Sequence, residues 1–197
     1  MTLHARIVDE LGRLIVARRH ARWSGKRCGY WNPRAWSAAR PRVGTWTRPP
    51  EHWDAIDPDV IAWRGAGPDG HGYLAELREL RMAIEPQAAG MAAWHRRPDE
   101  LAVLAAAFEL MTEAVDLHAF QEADRAFHVA LYRASGNALI ARLHVPVVAA
   151  LEEIPGDGAL VAHSRVVTMV LAKNADGAES ATRRLMETVA PYRSPAS

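Results

Sequence analysis

Residues 118–143 read HAFQEADRAFHVALYRASGNALIARL, and this stretch decides the fold. Phe120, Ala123, Phe127, Ala130 and Leu131 recur at three- and four-residue steps, so a helix gathers them into one apolar stripe. Asp124 and His128 stand four residues apart, which puts a carboxylate and an imidazole one turn from each other. Carboxylate oxygen and neutral imidazole nitrogen are both ordinary ligands of zinc-like metals, so the pair can share a cation. It can equally be an i, i+4 ion pair with no further duty. Ser135-Gly136-Asn137 supplies the helix stop.

The same periodicity continues on both sides. Tyr73–Trp94 repeats Leu74, Leu77, Leu80, Ile84 and Ala88, and Pro98 opens a second helix running to about Val115. The opening stretch gives a third, from Ala119 to Ala134. Ala138–Ile154 gives a fourth that Pro146 should kink, Ala159–Ala172 a fifth and Gly177–Val189 a sixth. Six helices with short connections predict an all-α, antiparallel bundle over residues 73–190. Ahead of it, GAGPDGHG at 65–72 holds four glycines and a proline, a linker by composition.

Residues 1–64 are organised differently. Leu3, Ile7, Leu11, Leu14 and Ile15 share a helical face over 3–17. From Arg18 to Ala39 no period survives, and no secondary structure is expected there. Val43-Gly44-Thr45-Trp46-Thr47 reads as a short hairpin around Gly44, and Asp57-Pro58 as a helix start followed by Val60, Ile61 and Trp63.

Composition narrows the function. A chain of 197 residues with 49% hydrophobic content can bury a core, no apolar run approaches the roughly 20 residues of a membrane span, and the N-terminus lacks a signal peptide's apolar centre. A cytoplasmic location is the expectation. The single cysteine, Cys28, excludes an internal disulfide and a cysteine-rich zinc site, so a metal would be held by His, Asp or Glu. Residues 11–50 contain ten Arg or Lys and no acid, leaving 14 basic and 23 acidic residues elsewhere. That split suggests a basic module for phosphates joined to an acidic body, or an arginine-rich segment without order.

Three metal ligands can be drawn from the bundle: Asp124 and His128 on its third helix and His163 on its fifth. Three protein ligands leave coordination positions open for water or an anionic small molecule. Arg81, set among apolar residues of the first bundle helix, is suited either to clamp a carboxylate or to pair with Glu85 one turn on. His95, His118 and His144 have no comparable partners in sequence. There is no Ser-His-Asp order, no phosphate-cradling glycine loop and no nucleophile beside a base, so an enzyme reading rests on the metal alone.

Three segments resemble a known family: ELRELRMAIEPQAAGMAA (76–93), EADRAFHVALYRASGNALIARL (122–143) and AHSRVV (162–167). They are similar to the effector-binding (FCD) domain of the FadR subfamily of GntR-type transcription regulators. RPRVGTWTRPPEHWDAIDPDVIAWR (40–64) resembles that subfamily's wing and connecting helix, closest to regulators of galactonate and related sugar-acid catabolism. The resemblance covers residues 1–17 and 40–189. It implies a divalent metal, zinc or similar, on Asp124, His128 and His163, with Arg81 meeting the carboxylate of a small organic acid. It further implies a homodimer that binds an operator, with Arg40, Arg42 and Gly44 at the wing as DNA contacts.

The chain departs from that pattern three times, one being a connection between the fourth and fifth helices that is shorter than the family's and bears on how His163 reaches Asp124. Many members carry a further histidine after the one matched by His163, where this chain has Thr182-Arg183-Arg184-Leu185-Met186. Between the first helix and the wing, Arg18–Ala39 lacks the recognition helix that reads base edges in the major groove. Its Trp, Arg, Gly and Cys content resembles out-of-frame translation of GC-rich coding DNA, so the N-terminal winged helix-turn-helix is expected to be a truncated remnant produced by a deletion or paired frameshift. A clean genomic frame with no displaced family-like peptide nearby would refute that origin. The competing class is a stand-alone metal- or ligand-binding dimerisation module that does not bind DNA.

Overall fold

The computed structural model describes residues 3–18, 22–23, 37–40, 44–95, 97–149 and 158–188, which fall into two compact units, Met1–Leu74 and Ala75–Ser197. In the first unit, α1 (Leu3–Arg18) packs on α2 (Pro58–Gly65). Asp57 caps α2 by accepting from the amides of Asp59 (2.9 Å) and Val60 (3.2 Å), and Pro58 fills the first turn, where no amide hydrogen is needed. Gly12 is what lets the two helices meet, because a Cβ there would stand 2.1 Å from the Trp63 ring. Trp63 Nε1 then donates to Asp9 Oδ1 at 3.0 Å.

The first unit also holds a small antiparallel sheet. β1 (Arg22–Trp23), β2 (Ser37–Arg40) and β3 (Gly44–Thr47) pair in the order β1-β3-β2, with Arg22 opposite Trp46 and Arg40 opposite Gly44. The hairpin expected around Gly44 exists as the β2–β3 pair, with Gly44 beginning β3, and residues 41–43 lie outside the described residues. Arg42 therefore lies outside the described residues. The expectation of no regular structure from Arg18 to Ala39 is also corrected, since β1 and the start of β2 fall within it. Neither strand shows a local period, because β1 is held by pairing with β3, distant in sequence, and such pairing leaves no mark in a short window. Residues 24–36, where the reading head is expected to be replaced, lie outside the described residues.

The 65–72 stretch is half helical, with a four-residue turn at 66–69. α2 runs to Gly65 and α3 (Gly70–His95) begins three residues earlier than Tyr73. A Cβ on Gly70 would sit 2.0 Å from the Gly65 carbonyl, so glycine there allows one helix to follow the other in a tight turn.

The second unit is all-α. After α3 come α4 (Pro98–Thr112), α5 (Leu117–Ala134), α6 (Ala138–Arg142), α7 (His144–Ala149), α8 (Ala159–Leu171) and α9 (Ala175–Thr188). α5 packs against α4, α6 and α7, and α8 against α4 and α9. The single kinked helix expected over Ala138–Ile154 is instead two short helices broken at Leu143. Pro146 lies in the first turn of α7, where its missing amide hydrogen costs nothing, so the proline sits inside a new helix rather than bending an old one. Among the described residues, no helix is long and apolar enough to cross a membrane.

The core of this unit joins Ala89, Ala92 and Ala93 of α3, Leu104 and Met111 of α4, Phe127 and Leu131 of α5, Val166 and Val170 of α8, and Leu185 of α9. Gly136, at φ +70°, ends α5, and Asn137 then caps α6 through its side-chain oxygen, which accepts from the amides of Leu139 (2.9 Å) and Ile140 (3.3 Å).

Candidate metal and effector site

The stripe that packs α5 into the core also carries its polar face inward. Asp124, His128 and Tyr132 follow one another at four-residue steps, with His128 and Tyr132 fully buried and Asp124 half-buried. α8 brings His163 opposite them. Its Nδ1 donates to the Ala159 carbonyl at 2.8 Å, one turn back, which fixes the ring and leaves Nε2 with a lone pair when the imidazole is neutral.

That lone pair faces a carboxylate. His163 Nε2 is 2.9 Å from Asp124 Oδ1, yet it has no aligned hydrogen-bond partner, and His128 Nε2 is 3.6 Å from the same oxygen. One ligand atom from each of Asp124, His128 and His163 lies within 4.8 Å of the others. A metal with bonds of about 2.0–2.2 Å holds neighbouring ligand atoms roughly 3 Å apart, so two acceptors facing each other at this spacing suit a cation between them. An oxygen and two imidazole nitrogens form an ordinary donor set for zinc and its neighbours. Phe127 braces both rings edge-on, at 5.5 Å from His128 and 4.8 Å from His163.

α3 completes the cluster. Glu85 Oε1 stands 2.9 Å from His128 Nδ1, a bent ion-pair contact, and accepts from Arg81 Nε at 3.1 Å. Arg81 Nη2 in turn reaches His128 Nε2 at 3.1 Å. Arg81 therefore pairs with Glu85, as the spacing allows, and lies beside His128. Glu85 is the member that spacing alone did not single out as part of a site. Its signal was a charged residue between Ile84 and Pro86 in an apolar run, one turn from Arg81.

The electrostatics follow from burial and pairing. Burial alone would raise Glu85, but Arg81 and His128 outweigh it and hold its carboxyl below the usual range. Asp124 is likewise held well below its ordinary value, burial being outweighed by His128 and His163. For His128, burial and Arg81 oppose protonation, while the Glu85 and Asp124 carboxylates prevail and raise its affinity for a positive charge. A proton, a guanidinium hydrogen and a metal ion are alternative occupants of its Nε2. Burial, followed by the charge of Glu85, pushes the Tyr132 phenol up, so it stays protonated, and its hydroxyl has no hydrogen-bond partner among the described residues.

Other expectations resolve as follows. Thr182, in the segment that lacks the extra histidine, is buried and donates to the Ala178 carbonyl at 2.9 Å, within its own helix. His144 bonds the Ala141 carbonyl at 2.6 Å, and His95 and His118 are exposed. Arg40 and Gly44 face each other across the β2–β3 hairpin.

The sequence model of the FCD domain matches residues 76–188, more than half of the chain and wholly within the second unit. The chain belongs to the FCD-domain family of GntR-type regulators. The galactonate operon transcriptional repressor of Escherichia coli (strain K12) is 26% identical over 163 residues, spanning 73% of this chain and 71% of the repressor. An uncharacterized HTH-type transcriptional regulator of the same organism, YieP, is 28% identical over 101 residues, 50% of this chain and 44% of its own length. Among solved structures, Streptococcus agalactiae GntR superposes with a TM-score of 0.56 at 19% identity, covering 93% of this chain and 96% of that one. E. coli McbR/YncC gives 0.50 at 18% identity over 76% and 72%. These superpositions support the FCD-type helical fold. The two relatives from Escherichia coli (strain K12) are named as a transcriptional repressor and a transcriptional regulator.

Proposed function

We propose that this FCD-domain protein is a transcription regulator that senses a small organic acid, of the sugar-acid class, through a divalent metal held by Asp124, His128 and His163. The observation that carries the reading is the approach of the His163 Nε2 lone pair to Asp124 Oδ1 at 2.9 Å without an aligned hydrogen bond, next to a second imidazole. Bound there, the metal would supply a Lewis-acidic point with open positions for an anionic ligand. The chain's own residues then decide what is bound. With neutral imidazoles, the two carboxylates Asp124 and Glu85 outnumber the one guanidinium of Arg81; a divalent cation reverses that sign and favours an anion. Arg81 is the donor placed to receive its carboxylate. The similarity to a galactonate operon repressor supports a sugar acid as the effector.

On the output side, the basic character of residues 11–50, with Arg40 paired to Gly44 across the β2–β3 hairpin and Arg42 between them in sequence, supports contact with DNA phosphates by a homodimer in the cytoplasm. Without a recognisable reading helix, that contact is of low sequence preference. Metal analysis of the purified protein and of His128→Ala tests the sensor. About one metal per chain is expected in the first and little in the second, with D-galactonate raising the melting temperature only of metal-loaded wild type. Equal metal in both proteins, or a galactonate effect that ignores metal, would reject it.

A further inference from the structure

One nitrogen in this cluster is wanted twice. His128 Nε2 is the atom that points toward Asp124, and it is also the atom that Arg81 Nη2 contacts at 3.1 Å. A guanidinium has only donors, so when His128 is neutral, with its one proton on Nδ1 beside Glu85, this contact uses the Nε2 lone pair, and one lone pair cannot serve Arg81 and a metal together. Arg81 is 4% exposed and cannot retire to water. It is tethered through Nε to Glu85 Oε1 at 3.1 Å, and the other oxygen of that carboxylate, Oε2, is buried with no hydrogen-bond partner among the described residues. An acceptor for a displaced Nη2 is therefore already present on the tether itself, where a two-point guanidinium–carboxylate fork is the strongest arrangement available.

We infer that Arg81 is a resident stopper of the metal site: it occupies the His128 lone pair in the metal-free chain, and metal loading transfers its Nη2 to Glu85, leaving the remaining guanidinium donors for the carboxylate of an acid. Metal and acid then bind cooperatively through one side chain. Each raises the other's affinity by the same factor, because the cost of moving Arg81 is met once for both. The inference rests on the metal-and-acid reading above and adds a direction to it, since Arg81 opposes the metal when no acid is present and favours it when an acid is bound.

The test measures cobalt(II) affinity by competition with a chromophoric chelator at fixed pH, with and without D-galactonate, for wild type, Arg81→Lys and Arg81→Met. Lysine keeps the charge but cannot bond Glu85 and His128 in the same fork. Without acid, both variants are expected to bind cobalt roughly tenfold more tightly than wild type, the worth of one charge-assisted hydrogen bond lost from the metal-free side. Both should also lose most of the galactonate enhancement seen in wild type. Arg81→Lys equal to wild type would show that only charge matters, and weaker cobalt binding by either variant would show that Arg81 merely supports the fold; either result overturns the stopper. Absence of cobalt binding by wild type itself would instead reject the metal site.

Discussion

Glu85→Gln isolates the charge that holds the second unit's polar core together. Glu85 is fully buried and faces Arg81 Nε at 3.1 Å and His128 Nδ1 at 2.9 Å, so an amide in its place leaves a buried guanidinium without its counter-charge. Breaking a buried pair by removing one partner costs about 3–5 kcal/mol. The glutamine oxygen still accepts from Arg81, which puts the expected loss near the lower end, about 3 kcal/mol. For a chain of this size that is a fall in melting temperature of roughly 6–12 °C. Urea and thermal unfolding of the metal-free protein, followed by circular dichroism, would measure it. The exposed pair Arg125–Glu122 is the control: Glu122→Gln should change stability by less than about 1 kcal/mol. Adding Arg81→Met to Glu85→Gln removes the orphaned charge and should recover part of the loss. The pH dependence has a definite sign. Glu85's folded pKa lies below its ordinary 4.5, so its contribution is fully present above 4.5 and is lost as pH falls toward the folded value. Wild type should therefore lose stability more steeply in acid than the variant does. A variant within about 1 kcal/mol of wild type, or a strictly additive double mutant, would refute the coupling.

Phe127 lies at the centre of the core and braces both imidazoles, so Phe127→Ala should cost about 3–5 kcal/mol in chemical denaturation and weaken metal binding in the same protein. Gly136 adopts φ +70° with the His95 ring 3.1 Å from where a Cβ would stand; Gly136→Ala should lose about 1–2 kcal/mol by the same assay, with metal content unchanged. DNA binding through residues 11–50 should be largely independent of sequence and should weaken steeply between low and physiological salt in fluorescence-anisotropy titrations; a salt-resistant preference for the gene's own upstream region would show that a reading surface survives.

The bundle was legible because its helices are amphipathic and punctuated. Pro98, Asp57-Pro58 and Ser135-Gly136-Asn137 each mark an end that the structure places within a few residues. Legible too was the convergence of Asp124 with His128, since one turn of helix imposes it. His163 came through the family resemblance, because nothing in local spacing says that the start of α8 faces the middle of α5. Glu85 and Tyr132 were hidden for the same reason: their neighbours in space come from tertiary packing, and an isolated acid in an apolar run reads first as a surface ion pair. The strands at 22–23 and 37–40 escaped notice because pairing with β3, not local pattern, defines them. Pro146 misled because a proline breaks a helix only where its amide hydrogen is required, and the first turn of α7 does not require it.

The central claim, that α5 and α8 hold one divalent ion between them, is tested most directly by the cobalt(II) spectrum and metal stoichiometry of wild type beside His163→Ala. One equivalent per chain is expected in wild type, in a nitrogen- and oxygen-ligated environment whose visible bands change when D-galactonate is added. His163→Ala should fold, since its loss removes a one-turn contact to Ala159 and an edge contact with Phe127 but none of the apolar core side chains, yet bind cobalt at least tenfold more weakly, as loss of one of three ligands requires. Equal stoichiometry, affinity and spectrum in the two proteins would contradict the account.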